Sequence, residues 1–203
     1  MDIRRQKKAV GAYYASVAYM DAMVGKVMNA LEESGQRDNT IVIFTSDHGY
    51  HLGEHDFWAK VSLREESAKV PLIIRVPGKK PTVCDSFTEL IDLYPTLSGL
   101  CGLKEPVGIQ GKDLSPLIDD ASKTVRDMAW VANKKGILLR EERWAFISYG
   151  KNGSKGMELF DMDNDPEQYD NLATHSEYSE VVKRLKTKMS HRLTEIKTND
   201  LNK

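Results

Sequence analysis

A short apolar run that stops at a polar turn most constrains this chain. Residues 41–45 are β-branched or aromatic, and the next four are Ser46, Asp47, His48 and Gly49. Such a run is typical of a buried strand in a mainly parallel sheet. Ligands of these sheets gather beyond the carboxyl ends of the strands. The sequence therefore predicts a candidate metal site formed by Asp47 and His48.

The donor types at this position leave two interpretations open. Asp47 is either a metal ligand or a cap that accepts hydrogen bonds from backbone amides of the turn. As ligands, a carboxylate favours calcium or magnesium, whereas an imidazole favours zinc or manganese. Lys60 is either a solvated lysine or a fixed positive charge beside the metal. Two such cations side by side suit an anionic substrate, for example phosphate or sulfate.

A second motif lies in the same polar segment. His51, Glu54 and His55 match the pattern H-x-x-E-H of some zinc peptidases. That chemistry needs both histidines on one face of a helix, and Gly49 and Gly53 weaken a helix there. We therefore expect these residues to form a loop.

The first 34 residues carry the longest periodic pattern. Residues 10, 17, 24 and 31 are apolar, and a second seven-residue row runs alongside, which predicts one long amphipathic helix over residues 3–34. Gly35 ends it as a C′ residue. Gly11 and Gly25 indicate close packing against another element. A coiled coil is an alternative, but a helix that covers a sheet is favoured.

The remaining elements change character along the chain. Residues 70–76 predict a second buried strand, and residues 62–68 a short helix. Residues 89–100 predict a helix that kinks at Pro95 or begins there. After an irregular stretch at residues 105–120, four short runs predict antiparallel strands: 128–132, 136–140, 144–149 and 157–161. A final amphipathic helix is predicted over residues 177–196.

Composition excludes several classes of function. Lys and Arg total 29 against 30 Asp and Glu, so the chain has no basic footprint for nucleic acid. No apolar run is long enough to span a membrane, and the first residues lack the pattern of a signal peptide. Cys84 and Cys101 form neither a disulfide framework nor a Cys-x-x-Cys metal pair.

Several blocks together resemble the C-terminal half of type I sulfatases, in the alkaline phosphatase superfamily. The variant with His after Asp is most similar to the iduronate-2-sulfatase branch. The blocks are N-T-I-V-I-F-T-S-D-H-G at 39–49, L-G-E-H at 52–55, W-A-K at 58–60, V-P-L-I-I at 70–74, D-L-Y-P-T-L at 92–97, E-L-F-D at 158–161, D-P at 165–166 and N-L at 171–172.

This resemblance implies an α/β fold in two parts. Residues 1–120 would form part of a sulfatase or alkaline-phosphatase-like sheet with covering helices. Residues 121–203 would form a small antiparallel α+β subdomain with a closing helix. The implied reaction is hydrolysis of a sulfated saccharide or aryl sulfate ester by a formylglycine with a divalent metal, usually calcium. Asp47 and His48 would bind that metal and Lys60 would contact the sulfate. By family resemblance the compartment would be periplasmic or extracellular.

The chain departs from the family at the nucleophile. It contains no C-x-P-S-R motif, because Cys84 precedes Asp-Ser-Phe and Cys101 precedes Gly-Leu-Lys. We therefore expect a segment that is inactive alone, with the formylglycine in an N-terminal half. One alternative is a metal-dependent phosphoester or phosphonate hydrolase of the same superfamily. Another is a non-catalytic binding or oligomerisation module, which self-associates through exposed apolar surface.

Overall fold

The chain folds into two compact units that interleave along the sequence. The structure, a computed structural model, describes residues 2–104 and 108–198. The first unit comprises residues 2–62 and 69–81, and the second comprises residues 63–68 and the described residues from 82 onward. The predicted boundary at residue 120 falls inside the second unit and stays a prediction. No described helix is long and apolar enough to cross a membrane.

The first unit begins with the long helix that the periodicity predicts. Helix α1 spans Ile3–Glu33, and its N-cap Asp2 accepts a hydrogen bond from the Arg5 amide at 3.0 Å. Ser34 caps the C-terminus, and Gly35 follows with φ +69°, a conformation that glycine adopts without strain. The predicted helix and its C′ glycine are therefore confirmed.

The apolar stripe of α1 is only partly covered within the described residues, with Val10, Val24 and Leu31 half-buried. None of its residues is buried, and Val17 and Val27 are 41% and 68% exposed. The predicted close packing at Gly11 and Gly25 is wrong for this structure, because a Cβ at either position would meet no atom within 4 Å. A glycine inside a helix thus allows another element to pack closely there, but it does not show that such an element is present.

Strands β1, Val42–Thr45, and β4, Leu72–Arg75, form a two-stranded sheet in the first unit. They pair antiparallel, with Val42 opposite Arg75 and Thr45 opposite Leu72. The parallel, buried arrangement expected from the sequence is therefore wrong for this pair, whose residues are all at least partly exposed. A four-residue apolar run has the same pattern in either kind of sheet, so composition alone does not fix strand direction.

The second unit is built on a four-stranded antiparallel meander. Its strands are β5 Met128–Ala132, β6 Gly136–Glu141, β7 Trp144–Tyr149 and β8 Met157–Asp161, paired in that order. Helix α5, Ser179–Thr198, follows. The predicted strands and closing helix are confirmed: each short apolar run forms a strand, and turn residues such as Asn152 and Gly153 separate β7 from β8.

Both faces of this sheet are buried. Leu185 and Met189 of α5 pack with Leu139, Phe146 and Leu159 on one face. On the other face Leu63 packs with a second group of sheet residues, namely Leu138, Ala145, Ile147 and Phe160. Leu63 precedes the short helix α2, Glu65–Ala68, which confirms the helix predicted at residues 62–68.

A buried ion cluster joins the segments that precede the sheet. A 3₁₀ turn at Leu90–Asp92 leads into α3, Leu93–Leu100, so the helix begins just before Pro95, as one of the two alternatives predicts. Helix α4, Ser115–Asp119, lies farther along the chain. The Arg126 guanidinium, 4% exposed, forms ion pairs with Glu89 at 2.8 Å and with Asp92. Burial raises the pKa of Glu89 despite this arginine.

Candidate functional site

Asp47 and His48 follow β1 directly, where the sequence predicts a metal site. The Asp47 carboxylate is 85% exposed and the His48 ring 33% exposed, so both donors are accessible. The Ser46 hydroxyl donates to the His48 carbonyl oxygen at 2.7 Å, which holds the backbone of the turn. The turn therefore presents an acid and an imidazole from a supported backbone.

The His48 ring is oriented by the backbone. Its Nδ1 lies 2.8 Å from the carbonyl oxygen of Gly49. A carbonyl oxygen only accepts hydrogen bonds, so Nδ1 carries the hydrogen, and the lone pair of the neutral ring is on Nε2. Metal-binding histidines commonly donate their second ring nitrogen in this way. The ring is thus in the tautomer that a metal ligand needs at Nε2.

The spacing of the two donors also suits a shared cation. His48 Nε2 lies 3.6 Å from Asp47 Oδ2, which is too long for a hydrogen bond. Ligand bonds of about 2.1 Å to nitrogen and 2.4 Å to oxygen place two ligand atoms about 3.2 Å apart at a right angle, and farther apart at wider angles. Asp47 and His48 therefore fit two neighbouring ligand positions. Among the described residues no group of three or more His, Cys, Asp and Glu side chains could hold a metal.

A short hairpin returns the chain toward this pair. Strand β2, His51–Leu52, pairs antiparallel with β3, Trp58–Ala59, and His51 lies opposite Ala59. Continued by one residue, the same register sets Lys60 opposite Tyr50, two residues after His48. Lys60 is exposed. Its role as a sulfate contact stays a prediction, as do the metal-binding roles of Asp47 and His48.

The backbone on both sides of Lys60 is strained. Ala59 and Val61 have φ values of +93° and +77°, and His55 and Asp56 are also in the left-handed region. Valine is rarely found there, and such a residue costs about 1–3 kcal/mol. Strained backbone of this kind concentrates at functional sites. The strained backbone around Lys60 is therefore of the kind found at functional sites.

The H-x-x-E-H residues do not form a helical zinc site. His51 is on β2, is fully buried, and its Nε2 lies 2.7 Å from the Ser62 hydroxyl. Glu54 accepts a hydrogen bond from the Leu52 amide at 2.6 Å, and His55 has φ +56° in a 3₁₀ turn. The predicted non-helical conformation is confirmed, since these residues belong to the hairpin.

Sequence reasoning missed an aromatic contact beside the turn. Tyr50 follows Gly49, and its ring stacks on Tyr13 of α1 with centroids 5.2 Å apart and an interplanar angle of 30°. Both rings remain more than a third exposed. The tyrosines are 37 positions apart in the sequence (50 − 13), and neither belongs to a recognisable motif. No local signal could have paired them.

Two protein-family models match the chain. A model of the sulfatase family, described as Sulfatase, matches residues 2–103. A second, described as N-sulphoglucosamine sulphohydrolase, C-terminal, matches residues 53–195. The two matches overlap over residues 53–103 and together cover nearly all of the described residues.

Curated proteins show the same likeness over part of their length. An arylsulfatase from Clostridium perfringens is 33% identical over 187 residues, which is 87% of this chain and 38% of that protein. Arylsulfatase K from Rattus norvegicus is 34% identical over 184 residues, which is 84% of this chain and 32% of that protein. The chain thus spans about a third of the length of these relatives.

Solved structures share the fold. A protein in complex with its substrate D-glucosamine-2-N,6-O-disulfate superposes with a TM-score of 0.79 and 30% identity, over 93% of this chain and 41% of that one. A phosphonate monoester hydrolase from Silicibacter pomeroyi gives 0.78 and 25% identity, over 90% of this chain and 39% of that one. The predicted mixed α/β class is confirmed by these neighbours.

Replacing Val61 by glycine tests the strain in the loop. Glycine adopts φ +77° without a Cβ clash, so Val61→Gly is expected to raise the free energy of unfolding by about 1 kcal/mol. Urea denaturation, followed by the fluorescence of tryptophans that include Trp58 in the same hairpin, measures the change. Val83→Gly is the control, because Val83 is 86% exposed and has no positive φ. Equal destabilisation by both substitutions would contradict the assignment of strain.

Proposed function

We propose, because this chain belongs to the sulfatase family, that it supplies the C-terminal part of an active site that hydrolyses sulfate esters. In this proposal Asp47 and His48 bind a divalent cation and Lys60 contacts the sulfate. The observation that supports it most is the His48 geometry, with Nδ1–H held by Gly49 and Nε2 at 3.6 Å from Asp47. The proposed substrate is a sulfated saccharide, since a structural neighbour carries a glucosamine disulfate.

The cation in this proposal is divalent, with calcium as the ion that the family implies. Bound there, it would supply positive charge to the sulfate oxygens. The carboxylate suits calcium, and the imidazole also suits manganese or zinc. Two donors are fewer than the six to eight oxygen ligands that calcium takes. The other ligands must therefore come from substrate, water or further polypeptide.

Lys60 would act on the sulfate as a point charge. Its ammonium group has three donors and a flexible stem, so it can follow the sulfate oxygens as the ester bond lengthens. A donor aimed at oxygens that gain charge in the transition state accelerates the reaction more than it improves binding. The strained residues on either side, Ala59 and Val61, would limit where the lysine can move.

The nucleophile in this proposal is a formylglycine that another polypeptide segment supplies. Neither Cys84 nor Cys101 lies in a C-x-P-S-R sequence. We therefore propose that the 203 residues alone do not turn over sulfate esters. The finer resemblance to the iduronate-2-sulfatase branch stays a prediction, since the relatives described above are named as arylsulfatases.

A second candidate function is phosphonate monoester hydrolysis. It is favoured by the fold shared with the Silicibacter pomeroyi hydrolase and with a second phosphonate monoester hydrolase from Agrobacterium radiobacter, at 25% identity each. A cation and a lysine would stabilise a phosphonate as they would a sulfate, because both groups are tetrahedral anions. The two functions therefore differ in the nucleophile and the rest of the pocket more than in these residues.

Manganese binding tests the metal pair on the chain as it is. Paramagnetic Mn²⁺ is expected to broaden the imidazole NMR signals of His48 at concentrations that leave His175 and His191 unchanged, since both of these are exposed elsewhere in the chain. Asp47→Asn is expected to weaken the effect about tenfold, which corresponds to about 1.4 kcal/mol. Equal broadening of all three histidines would count against a site at Asp47 and His48.

A chimera tests the reaction. This chain would replace the matching C-terminal part of the Clostridium perfringens arylsulfatase, and p-nitrophenyl sulfate and p-nitrophenyl phenylphosphonate would be compared. Sulfate hydrolysis is expected, and Lys60→Met should lower kcat/KM by roughly 10²–10³-fold, mostly in kcat. Lys69→Met is the control, because Lys69 is also exposed. A folded chimera that hydrolyses the phosphonate faster than the sulfate would favour the second function. If Lys60→Met leaves kcat/KM of the chimera unchanged, Lys60 does not contact the sulfate.

Self-association is the further expectation for the isolated chain. The exposed stripe on α1 repeats every seven residues, as in helices that pair with one another. Size-exclusion chromatography with light scattering should give a mass above the 22.9 kDa of one chain. Val17→Glu with Val27→Glu should restore the monomer, whereas Lys26→Glu, outside the stripe, should not. A monomer for the unsubstituted chain at all concentrations would exclude this association.

A further inference from the structure

Charge is segregated along the meander of the second unit. The β5–β6 turn, residues 133–135, and the β7–β8 turn, residues 150–156, lie at the same end of the sheet, where the Gly150 amide donates to the Lys135 carbonyl oxygen at 3.0 Å. Neither turn contains an Asp or a Glu. Together they carry four exposed lysines: Lys134, Lys135, Lys151 and Lys155. This end of the sheet is therefore a local positive surface on a chain whose net charge is −1.

The opposite end of the sheet has the reverse character. Glu141 ends β6 there, Glu142 and Arg143 form the β6–β7 turn, and Asp161, which pairs with Arg143, ends β8. Their charges are largely matched, because Arg184 and Lys188 of α5 pair with Glu141 at 2.8 Å and 2.7 Å. No ion pair within residues 2–104 and 108–198 involves the four turn lysines. Their ammonium groups are thus available to an external anion.

The turns hold these lysines on a defined backbone. The Asn133 side chain accepts hydrogen bonds from the amides of Lys135 and Gly136, at 2.8 Å and 3.0 Å. In the other turn Gly150 has φ +68°, and a Cβ there would lie only 2.9 Å from Cγ of Lys155. The aliphatic stem of Lys155 therefore lies across Gly150. The positive surface is a consequence of the fold and not of a mobile tail.

A small cavity borders the same turns. Its polar lining includes Ser148, Asn152, Lys186 and Ser190, and its apolar lining includes Ile137 and Met189. Lys186 and Ser190 come from α5, so the cavity adds a fifth lysine to the surface. The hydroxyl, amide and ammonium groups of this lining are of the kinds that hydrogen-bond the hydroxyl and sulfate groups of a saccharide.

We propose that the lysine surface, formed by Lys134, Lys135, Lys151, Lys155 and Lys186, binds a sulfated polysaccharide chain. The inference rests on the proposed sulfated substrate class but uses none of Asp47, His48 and Lys60. It gives the second unit a function of its own, which is to hold the polymer that carries the ester to be cleaved. Lysines suit this function, because a compact ammonium on a flexible stem adapts to irregularly spaced sulfates.

The composition of the surface favours a sulfated saccharide over nucleic acid. Single-stranded nucleic acid is bound through aromatic side chains on which bases stack. The two turns contain no aromatic residue. Tyr149, which precedes the β7–β8 turn, donates its hydroxyl to Glu158 at 3.0 Å, and burial raises its pKa to about 12. It is a half-buried structural donor and offers no open stacking face.

Heparin affinity of the 203-residue chain tests the proposal. In the test variant Lys134, Lys135, Lys151 and Lys155 are replaced by glutamine. In the matched control the same change is made at Lys7, Lys8, Lys79 and Lys80, four exposed lysines of the first unit. Isothermal titration should show heparin binding about tenfold weaker for the test variant, with a shallower dependence on salt, and little change for the control. Equal loss in both variants, or no loss in the test variant, would overturn the proposal.

Three further probes identify the ligand class. Chemically desulfated heparin should not bind, whereas single-stranded DNA and phosphatidylserine vesicles should bind more weakly than heparin at equal salt. DNA or vesicles that bind as tightly, with the same loss in the test variant, would overturn the saccharide assignment. The lysine test variant should keep the Mn²⁺ broadening of the His48 signals, so a failure of the proposed metal site and a failure of the lysine surface are distinguished. Circular dichroism melting establishes that each variant is folded.

Discussion

Both faces of the four-stranded meander are apolar, and this one constraint organises the second unit. Leu139 and Phe146 point to α5, while Leu138 and Ile147 point to the opposite face, since successive side chains of a strand alternate. One amphipathic helix can cover only one of these faces. Residues 63–68, with Leu63 at 1% exposure, therefore leave the first unit and cover the other. A segment of six residues thus has its position fixed by a sheet that begins more than sixty residues later.

Polar contacts then fix the covering segment. Arg64 forms an ion pair with Glu158 at 3.0 Å, and the Glu65 amide donates to the Gln168 side chain at 2.8 Å. Arg140 reaches Glu65 at 2.9 Å from the neighbouring part of the sheet. These groups are partly or fully buried, so each contact is stronger than it would be on an open surface. Burial of Leu63 holds residues 63–68 against the sheet, and the polar contacts of Arg64 and Glu65 fix the orientation of the segment.

The sequence predicted the second unit better than the first for a physical reason. In residues 128–161 the strands are short runs rich in apolar residues, and the turns that follow β5 and β7 contain asparagine or glycine, so these boundaries have a local cause. Strand β1 has three apolar residues followed by Thr45, and its pairing direction with β4 depends on a connection of 26 residues, 46–71. The close packing predicted at Gly11 and Gly25 is wrong for a similar reason, because the sequence of a helix does not specify which element packs beside it.

Within the candidate site, the sequence predicted what is local and missed what is distant. Asp47 and His48 are recognisable because they follow an apolar run, whereas the hydrogen bond that selects the His48 tautomer needs the fold of the turn. His51 belongs to an H-x-x-E-H pattern that we expect to form a loop, and its contact with Ser62, eleven residues away, is not specified by that spacing. The two lysine-containing turns follow from the predicted strands. That they lie beside Lys186 of α5 follows only from the packing of α5 on the sheet.

Two features of the first unit would be completed by atoms outside the described residues. In the proposed site a cation at Asp47 and His48 would have two protein donors, and a divalent ion takes more ligands than that. Helix α1 presents a seven-residue apolar repeat and fully buries none of it. Tyr13 links the two features, because it lies on the apolar stripe and stacks on Tyr50 beside the metal pair. Whatever polypeptide covers the stripe near Tyr13 will therefore also approach Asp47 and His48. The same polypeptide surface would then both bury the apolar stripe of α1 and supply the remaining metal ligands. We therefore expect this unit to bind its covering polypeptide and to gain a complete metal site together.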